Sequence, residues 1–250
     1  MKKKIYGIIG FPLGQSASPA FFNAKFANEG INAEYIPFEI EDIKELPGII
    51  EKNPELCGFN VTIPHKIAVM DYLESMSPEA ESIKAVNVVK VTRDDKGAPH
   101  LTGYNSDVIG FTRSLEPLAK GKHSKALILG TGGVSKAVAC ALGKLGIEYI
   151  FVSRKASEKA IAYEQLTAEI MSTHTLIINC TPLGMTGHGI DKCPDIPYEL
   201  LNASHLLYDI VYNPENTLFL QKGVAMGADT KSGYEMWYLQ ALASWEIWNN

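Results

Sequence analysis

The stretch KALILGTGGVSKAVACALGKLGIEYIFVSRK, residues 125–155, decides the fold. A β-prone segment, KALIL, precedes the glycine-rich turn GTGGVS at 130–135, and an apolar helical pattern then runs to Gly146. A second β-prone segment, IEYIFVSR, follows. Strand, turn, helix and strand in this order predict a βαβ unit of a parallel sheet. The turn is typical of a dinucleotide pyrophosphate site, although Ser135 in place of the third glycine leaves a plain tight turn as the alternative.

The second strand of this unit ends in VSRK, where a dinucleotide-binding unit for NAD carries an acidic residue on the ribose 2′-hydroxyl. Arg154 and Lys155 stand there instead. A guanidinium binds phosphate through paired hydrogen bonds, so the two cations favour the 2′-phosphate of NADP. Solvated surface cations are the alternative, and the nearby glycine-rich turn decides for NADP(H).

The N-terminal half repeats an alternation of strand and helix, which predicts an α/β domain with a mostly parallel sheet. The expected strands are 4–9, 33–40 and 57–63, and the expected helical stretches are 19–29 and 43–53. Further strands are expected at 174–181 and 205–212, and an amphipathic helix at 233–248. We therefore predict a first domain over 1–108, completed by the C-terminal helix 228–250, and a Rossmann-like domain over 109–227.

The amino-acid composition indicates which kinds of partner the chain is expected to bind. The 250 residues include 23 Lys and Arg and 28 Asp and Glu, which gives a net charge of −5. The chain therefore lacks the excess of positive charge that is typical of proteins that bind nucleic acid or an anionic membrane. No apolar run approaches the length of a membrane span, and four dispersed cysteines favour free thiols in a reducing cytoplasm. We expect a cytoplasmic protein with a small-molecule partner, no metal site, and a monomeric or homodimeric state.

The stretch GFNVTIPHK, 58–66, places polar side chains where a strand gives way to a helix. The carboxyl ends of strands in an open α/β sheet border the ligand site, so Thr62 and Lys66 are candidates for substrate contact. A lysine whose pKa is tuned by its surroundings can exchange a proton with a substrate hydroxyl. The alternatives are a solvated lysine at a helix start and a structural His65.

Other polar residues lie in similar places. Ser16 and Ser18 follow the first strand, and Asn87 and Asp107 follow short apolar segments. Serine hydroxyls can orient a small carboxylate, and a carboxylate can partner a catalytic lysine. Ser18 as a helix N-cap, and Asn87 or Asp107 as turn residues, remain structural alternatives.

Seven ordered motifs resemble those of the shikimate dehydrogenase family, and the resemblance runs nearly from end to end. They are SASP (16–19), GFNVTIPHK (58–66), AVN (85–87), GYNSD (103–107), GTGG (130–133), NCTPLGM (179–185) and DIVYNP (209–214). Gly233, Met236 and Gln240 also fall at the family's spacing. The resemblance implies NADPH-linked, reversible reduction of 3-dehydroshikimate to shikimate, on the route to chorismate and the aromatic amino acids.

The resemblance also implies roles for individual residues. Lys66 and Asp107 would be the catalytic pair. The substrate carboxylate would be held by Ser16 and Ser18 with help from Tyr212, and its ring hydroxyls by Thr62, Asn87 and Gln240. Cofactor contacts would come from the residues Gly130, Thr131, Gly132, Gly133, Ser153, Arg154, Lys155, Thr181, Ile210 and Gly233, with Ile210 and Gly233 beside the nicotinamide.

Three departures from the family pattern are visible. Ser106 replaces a threonine, Lys84 replaces a glycine, and SRK at 153–155 replaces Asn-Arg-Thr, which removes two contacts from the 2′-phosphate pocket. An enzyme that oxidises quinate as well as shikimate, with relaxed cofactor use, is therefore the main alternative. A non-catalytic NADP-binding sensor on the same scaffold is the alternative from another class.

Overall fold

The computed structural model describes residues 2–14 and 16–250, and the chain forms two compact units. One unit comprises the chain up to Ser106 together with Ala241–Asn250, and the other comprises Asp107–Gln240. The second division falls inside the last helix, Tyr234–Asn249. Each unit has its own six-stranded sheet.

The first unit is built on a mixed sheet with the strand order β2-β1-β3-β5-β6-β4. Strand β1 is parallel to β2 and β3, whereas β5 is antiparallel to both β3 and β6. Its strands are β1 (Lys4–Gly10), β2 (Ala33–Glu39), β3 (Leu56–Val61), β4 (Ser75–Met76), β5 (Val88–Arg93) and β6 (Pro99–Tyr104). Its helices are α1 (Ser18–Asn28), α2 (Leu46–Lys52) and α3 (Pro78–Ile83), with 3-10 turns at Ile43–Glu45 and Ala68–Tyr72.

The second unit has an entirely parallel sheet with the order β12-β11-β10-β7-β8-β9. Its strands are β7 (Lys125–Leu129), β8 (Glu148–Ser153), β9 (Ala160–Ala162), β10 (Leu176–Asn179), β11 (Leu206–Asp209) and β12 (Asp229–Lys231). Its helices are α4 (Ser106–Ala119), α5 (Gly133–Lys144), α6 (Ala168–Thr173), α7 (Leu218–Ala225) and the first part of α8 (Tyr234–Asn249), whose residues from Ala241 onward belong to the first unit. Two 3-10 turns lie at Tyr163–Gln165 and Tyr198–Leu200. The predicted α/β fold class, with a Rossmann-like second domain, is confirmed.

An aromatic cluster fills one face of the first sheet. Tyr6 of β1 packs on Phe26 of α1 and on Trp245 and Trp248 of α8, with ring centroids 4.9–5.8 Å apart. Trp248 also donates its indole N–H to the Val89 carbonyl at 3.0 Å. Burial of these large rings provides much of the hydrophobic driving force for this unit.

The start of α1 and the end of α3 bear on two interpretations made from the sequence. Ser18 is the first residue of α1 rather than its N-cap, which is Ala17, and no side chain caps this helix end. Lys84 ends α3 in the left-handed conformation, with φ of 56°, which is where glycine is favoured. The glycine that the family carries at this position therefore has a conformational reason.

Within residues 2–14 and 16–250, no helix is long and apolar enough to cross a bilayer. The same residues include no group of three or more His, Cys, Asp or Glu side chains arranged to hold a metal ion. None of the four cysteines forms a disulfide bond within these residues.

Candidate active site

The glycine-rich turn opens the N-terminus of α5 toward a ligand. Gly130 has a φ of 104°, which only glycine adopts readily, and α5 begins after Gly132 with no side-chain cap. A Cβ at Gly132 or Gly133 would meet no protein atom within 4 Å. The amides of a twelve-residue helix therefore face open space, and they fit a pyrophosphate. Ser135 donates its hydroxyl to the Gly132 carbonyl at 2.5 Å, so it fills the place of the third glycine without blocking the turn.

The end of β8 presents two cations to solvent. Arg154 and Lys155 are exposed, and no carboxylate in the described part of the chain forms an ion pair with either of them. Ser153 donates its hydroxyl to the Lys155 carbonyl at 2.5 Å, which fixes the turn between them. Cations without an acidic partner beside a pyrophosphate-binding turn fit the 2′-phosphate of NADP.

A buried polar network ties the carboxyl ends of β10 and β11 together. Asn179 donates to the Asp209 carboxylate at 3.0 Å and accepts from the Thr181 main-chain N and hydroxyl at 3.0 and 2.7 Å. Asp209 also accepts from the Val211 main-chain N at 3.0 Å and from the Thr217 hydroxyl at 2.6 Å. Because Thr217 caps α7, one carboxylate fixes the loops after both strands.

Burial has the largest effect on the pKa of the Asp209 carboxylate. It raises the pKa of Asp209 to about 6, although hydrogen bonds from Thr217, Val211 and Asn179 act in the opposite direction. An unfolded chain, in which the pKa of Asp is near 4, has lost this proton above about pH 4. The folded chain keeps it up to about pH 6, so the two states differ in protonation between about pH 4 and pH 6. The contribution of this group to stability consequently falls as the pH rises through that window.

We expect an Asp209→Asn variant to remove this pH dependence. An amide keeps the shape of the side chain without the buried charge, its oxygen can still accept from Asn179 and Val211, and its NH2 group can donate to Thr217. We expect urea unfolding to show that the free energy of unfolding of the variant, relative to that of the wild type, is about 2 kcal/mol higher at pH 7.5 than at pH 4.5. A stability difference that is the same at both pH values would contradict this account of Asp209.

The loop after β11 meets the start of α8. A Cβ at Gly233 would lie 2.2 Å from the Ile210 carbonyl oxygen and 3.0 Å from that of Asp209, so this contact requires glycine. The ring of Tyr212 stacks on Trp237, with centroids 5.5 Å apart and an interplanar angle of 24°. Burial raises the pKa of the Tyr212 phenol, which keeps it a neutral hydrogen-bond donor.

Gln240 lies on α8 where that helix packs closely against α4. A Cβ at Gly110 would come within 2.8 Å of both the Cβ and the main-chain N of Gln240. The position of Gln240 is therefore set by main-chain packing between the two helices.

In the first unit, the turn that carries Lys66 follows β3. His65 is buried and donates a ring N–H to the Ile40 carbonyl at 2.8 Å, and its main-chain N bonds the Thr62 carbonyl at 2.9 Å. Val86 donates its main-chain N to the Lys66 carbonyl at 2.8 Å. His65 is thus structural, as its alternative interpretation had it, and it holds the backbone of Thr62 and Lys66.

A chain of polar side chains crosses the same edge of this unit. The Tyr35 phenol donates to Asn60 at 2.8 Å. Asn60 in turn donates to Ser244 at 2.9 Å, and Ser244 donates to Ser106 at 3.3 Å. This network explains why Asn60, a partly buried residue within β3, is polar.

The same network holds the residue before Asp107. Ser106 donates its main-chain N to the Asn87 side chain at 2.7 Å, and Asn87 donates back to the Ser106 hydroxyl at 3.1 Å. Asn87 directly follows Val86, which binds the Lys66 carbonyl. A short run of hydrogen bonds therefore connects the backbone of Lys66 to Ser106, and Asp107 is the next residue. Asn87 and Asp107 are both buried.

Sequence reasoning missed several members of these networks. The sequence assigned no role to Tyr35, Ser244 or Asp209. It marked Asn60 only as a polar residue and Ser106 only as a departure from the family pattern. Buried polar residues within otherwise apolar segments are the signal that could have found them, since such groups require hydrogen-bond partners.

The parallel sheet and the glycine-rich turn of the second unit have the form of a dinucleotide-binding domain. The family model for the shikimate dehydrogenase substrate binding domain matches residues 8–89. A shikimate dehydrogenase (NADP(+)) from Desulforamulus reducens is 35% identical over 277 residues, covering 99% of this chain and 90% of that relative. The chain belongs to the shikimate dehydrogenase family.

Two solved structures are also similar. Shikimate 5-dehydrogenase from Thermus thermophilus, in complex with NADP(H) and shikimate, is 29% identical with a TM-score of 0.81, covering 98% of this chain and 93% of that one. Quinate dehydrogenase from Corynebacterium glutamicum, in complex with NAD, is 26% identical with a TM-score of 0.86, covering 99% and 94%.

Proposed function

We propose that this chain catalyses the reversible, NADPH-dependent reduction of 3-dehydroshikimate to shikimate, a step of chorismate and aromatic amino-acid biosynthesis. The observation that supports the proposal is the hydrogen-bonded set at the edge of the first unit, which links Asn60, Asn87 and the backbone of the Lys66 turn.

The substrate contacts follow from the chemistry of each side chain. Ser16 and Ser18 hold the carboxylate through their hydroxyls, and the phenol of Tyr212 adds a third donor. Thr62, Asn87 and Gln240 bind the ring hydroxyls. Because Ser18 does not cap α1, its hydroxyl can accept from or donate to the substrate carboxylate.

NADP(H) is the cofactor, and when bound it supplies the hydride for the carbonyl carbon. Lys66 donates the proton to the oxygen on which negative charge develops, and Asp107 orients the ammonium group. The pyrophosphate lies on Gly130, Thr131, Gly132 and Gly133, and Ser153, Arg154 and Lys155 hold the adenosine phosphate. Thr181, Ile210 and Gly233 line the nicotinamide end.

A direct test incubates the purified protein with 3-dehydroshikimate and NADPH and identifies the product by chromatography. The proposal predicts shikimate in amounts equal to the NADPH consumed. Protein that binds NADPH yet forms no shikimate would support the non-catalytic sensor instead.

Cofactor choice depends on the two cations after β8. Replacing Arg154 with alanine removes a charged hydrogen-bonding group, so we expect the KM for NADP to rise about 30-fold while that for NAD changes little. Initial rates with each cofactor at saturating shikimate measure this. Lys159→Ala, an exposed lysine a few residues on, is the matched control. If NADP preference survives the loss of Arg154, the 2′-phosphate lies elsewhere.

Quinate dehydrogenase activity is a second candidate, favoured by the close fold match to the Corynebacterium enzyme. Quinate carries an extra hydroxyl near its carboxylate, and the pair of serines at 16 and 18 favours shikimate over it. We place the protein in the cytoplasm, as a monomer or homodimer, in keeping with a biosynthetic enzyme.

A further inference from the structure

Asp209 is a fully buried carboxylate whose hydrogen-bond partners are all uncharged. Within the described residues it forms no ion pair with lysine, arginine or histidine. The ionisable neighbours Cys180 and Tyr198 have pKa values that are raised, chiefly by burial, so both stay neutral at physiological pH. Above about pH 6 this side chain therefore carries a negative charge that no nearby cation balances.

The charge lies next to the residues assigned to the nicotinamide. Ile210 follows Asp209 in the chain, and its main-chain N bonds the Asn179 carbonyl at 3.1 Å. The Asp209 carbonyl oxygen would be 3.0 Å from a Cβ at Gly233, which brings the backbones into direct contact. Asp209 thus sits behind the Ile210 and Gly233 surface.

The two forms of the cofactor differ in charge at this end alone. The oxidised nicotinamide ring is a cation and the reduced ring is neutral, whereas the phosphates are the same in both. A charge in a buried, weakly screened position acts on the ring over several ångströms. We propose that Asp209 selectively stabilises bound NADP⁺ relative to bound NADPH, an inference that rests on the proposed placement of the nicotinamide beside Ile210 and Gly233.

This preference would affect the direction of the reaction on the enzyme. With NADPH bound, reduction of the carbonyl would leave the nicotinamide ring cationic, and Lys66 would supply the proton to the oxygen. Stabilising that cation favours shikimate over 3-dehydroshikimate in the bound state. Asp209 acts through the field at the ring and contacts neither reacting atom.

The test compares dissociation constants for both cofactor forms at pH 8, using calorimetry for NADP⁺ and the fluorescence of bound NADPH. Asp209→Asn keeps an oxygen for Asn179 and Val211 and offers an amide to Thr217, so the fold should persist. We expect the ratio of Kd for NADP⁺ to Kd for NADPH to rise about tenfold in this variant. Asp209→Ser, also uncharged and smaller, replaces it if the amide variant does not fold.

Two controls separate the possible outcomes. Asp229→Asn makes the same chemical change at an exposed residue that starts β12, level with Leu206, and should leave the ratio unchanged. Arg154→Ala should weaken both forms equally, because they share the 2′-phosphate. If it does so while Asp209→Asn leaves the ratio within twofold of the wild type, the inference is overturned and the proposed function stands. If Arg154→Ala weakens neither form, the 2′-phosphate placement is wrong, and the ratio in Asp209→Asn still decides the inference.

Discussion

A Lys66→Met variant is expected to lose about a thousandfold in kcat for shikimate oxidation while still binding NADP. Methionine matches the length of the lysine stem but cannot carry a proton, and general acid–base catalysis by one side chain contributes about 10²- to 10⁴-fold. Val86 holds the Lys66 backbone through a main-chain bond, so the turn should keep its conformation. Steady-state rates and NADPH fluorescence titration measure the two properties.

Lys44→Met is the matched control, because this lysine is exposed in the same unit and its nearest carboxylate oxygen, on Asp42, is 3.8 Å away. Its rate should equal that of the wild type. Turnover of the Lys66 variant within a few-fold of the wild type would remove Lys66 from the proton transfer and leave the Asp107 assignment without its partner.

Gly233→Ala is expected to cost about 3 kcal/mol of unfolding free energy and to weaken NADPH binding. The added methyl would overlap the Ile210 main chain, with its oxygen at 2.2 Å and its carbonyl carbon at 2.5 Å, and backbone atoms cannot rotate away. Relief requires the start of α8 to move from the loop after β11. Urea unfolding and NADPH titration report the two effects separately.

The control for this glycine is Gly143→Ala. Gly143 is an exposed residue of α5 where a Cβ would meet no atom within 4 Å. Alanine there should be neutral or stabilise by up to about 1 kcal/mol, because it is the better helix former. Wild-type stability and cofactor affinity in Gly233→Ala would mean that the contact with Ile210 is looser than the structure shows.

The α/β fold was predictable because strands of apolar residues and glycine-ended helices alternate clearly in both halves. The segment 88–104 was given no elements, yet it forms the β5–β6 hairpin. Its turn is held by the Asp94 carboxylate, which accepts from the main-chain N of Lys96 and Ala98 at 2.9 and 2.8 Å. Because this turn depends on one side chain and the apolar segments beside it are short, the hairpin has no clear pattern in the sequence.

The site was predictable only where a residue belongs to a motif. Lys66 and the glycines of the 130–133 turn carry their chemistry in local sequence. Asn60 and Ser244 are 184 positions apart and meet because the C-terminal residues 241–250 return to the first unit. Asp209 lay inside the expected strand 205–212, and its burial depends on loops after two different strands. Long-range partners of this kind leave no periodic pattern in one sequence.

The central claim is tested most directly by initial rates of cofactor reduction with shikimate or quinate, each offered with NADP or NAD. The account predicts that shikimate with NADP gives the highest kcat/KM of the four combinations. Equal or higher values with quinate or NAD would contradict the assigned roles of Ser16, Ser18 and Arg154. No turnover in any combination, by protein that binds NADP, would contradict the assignment of a dehydrogenase.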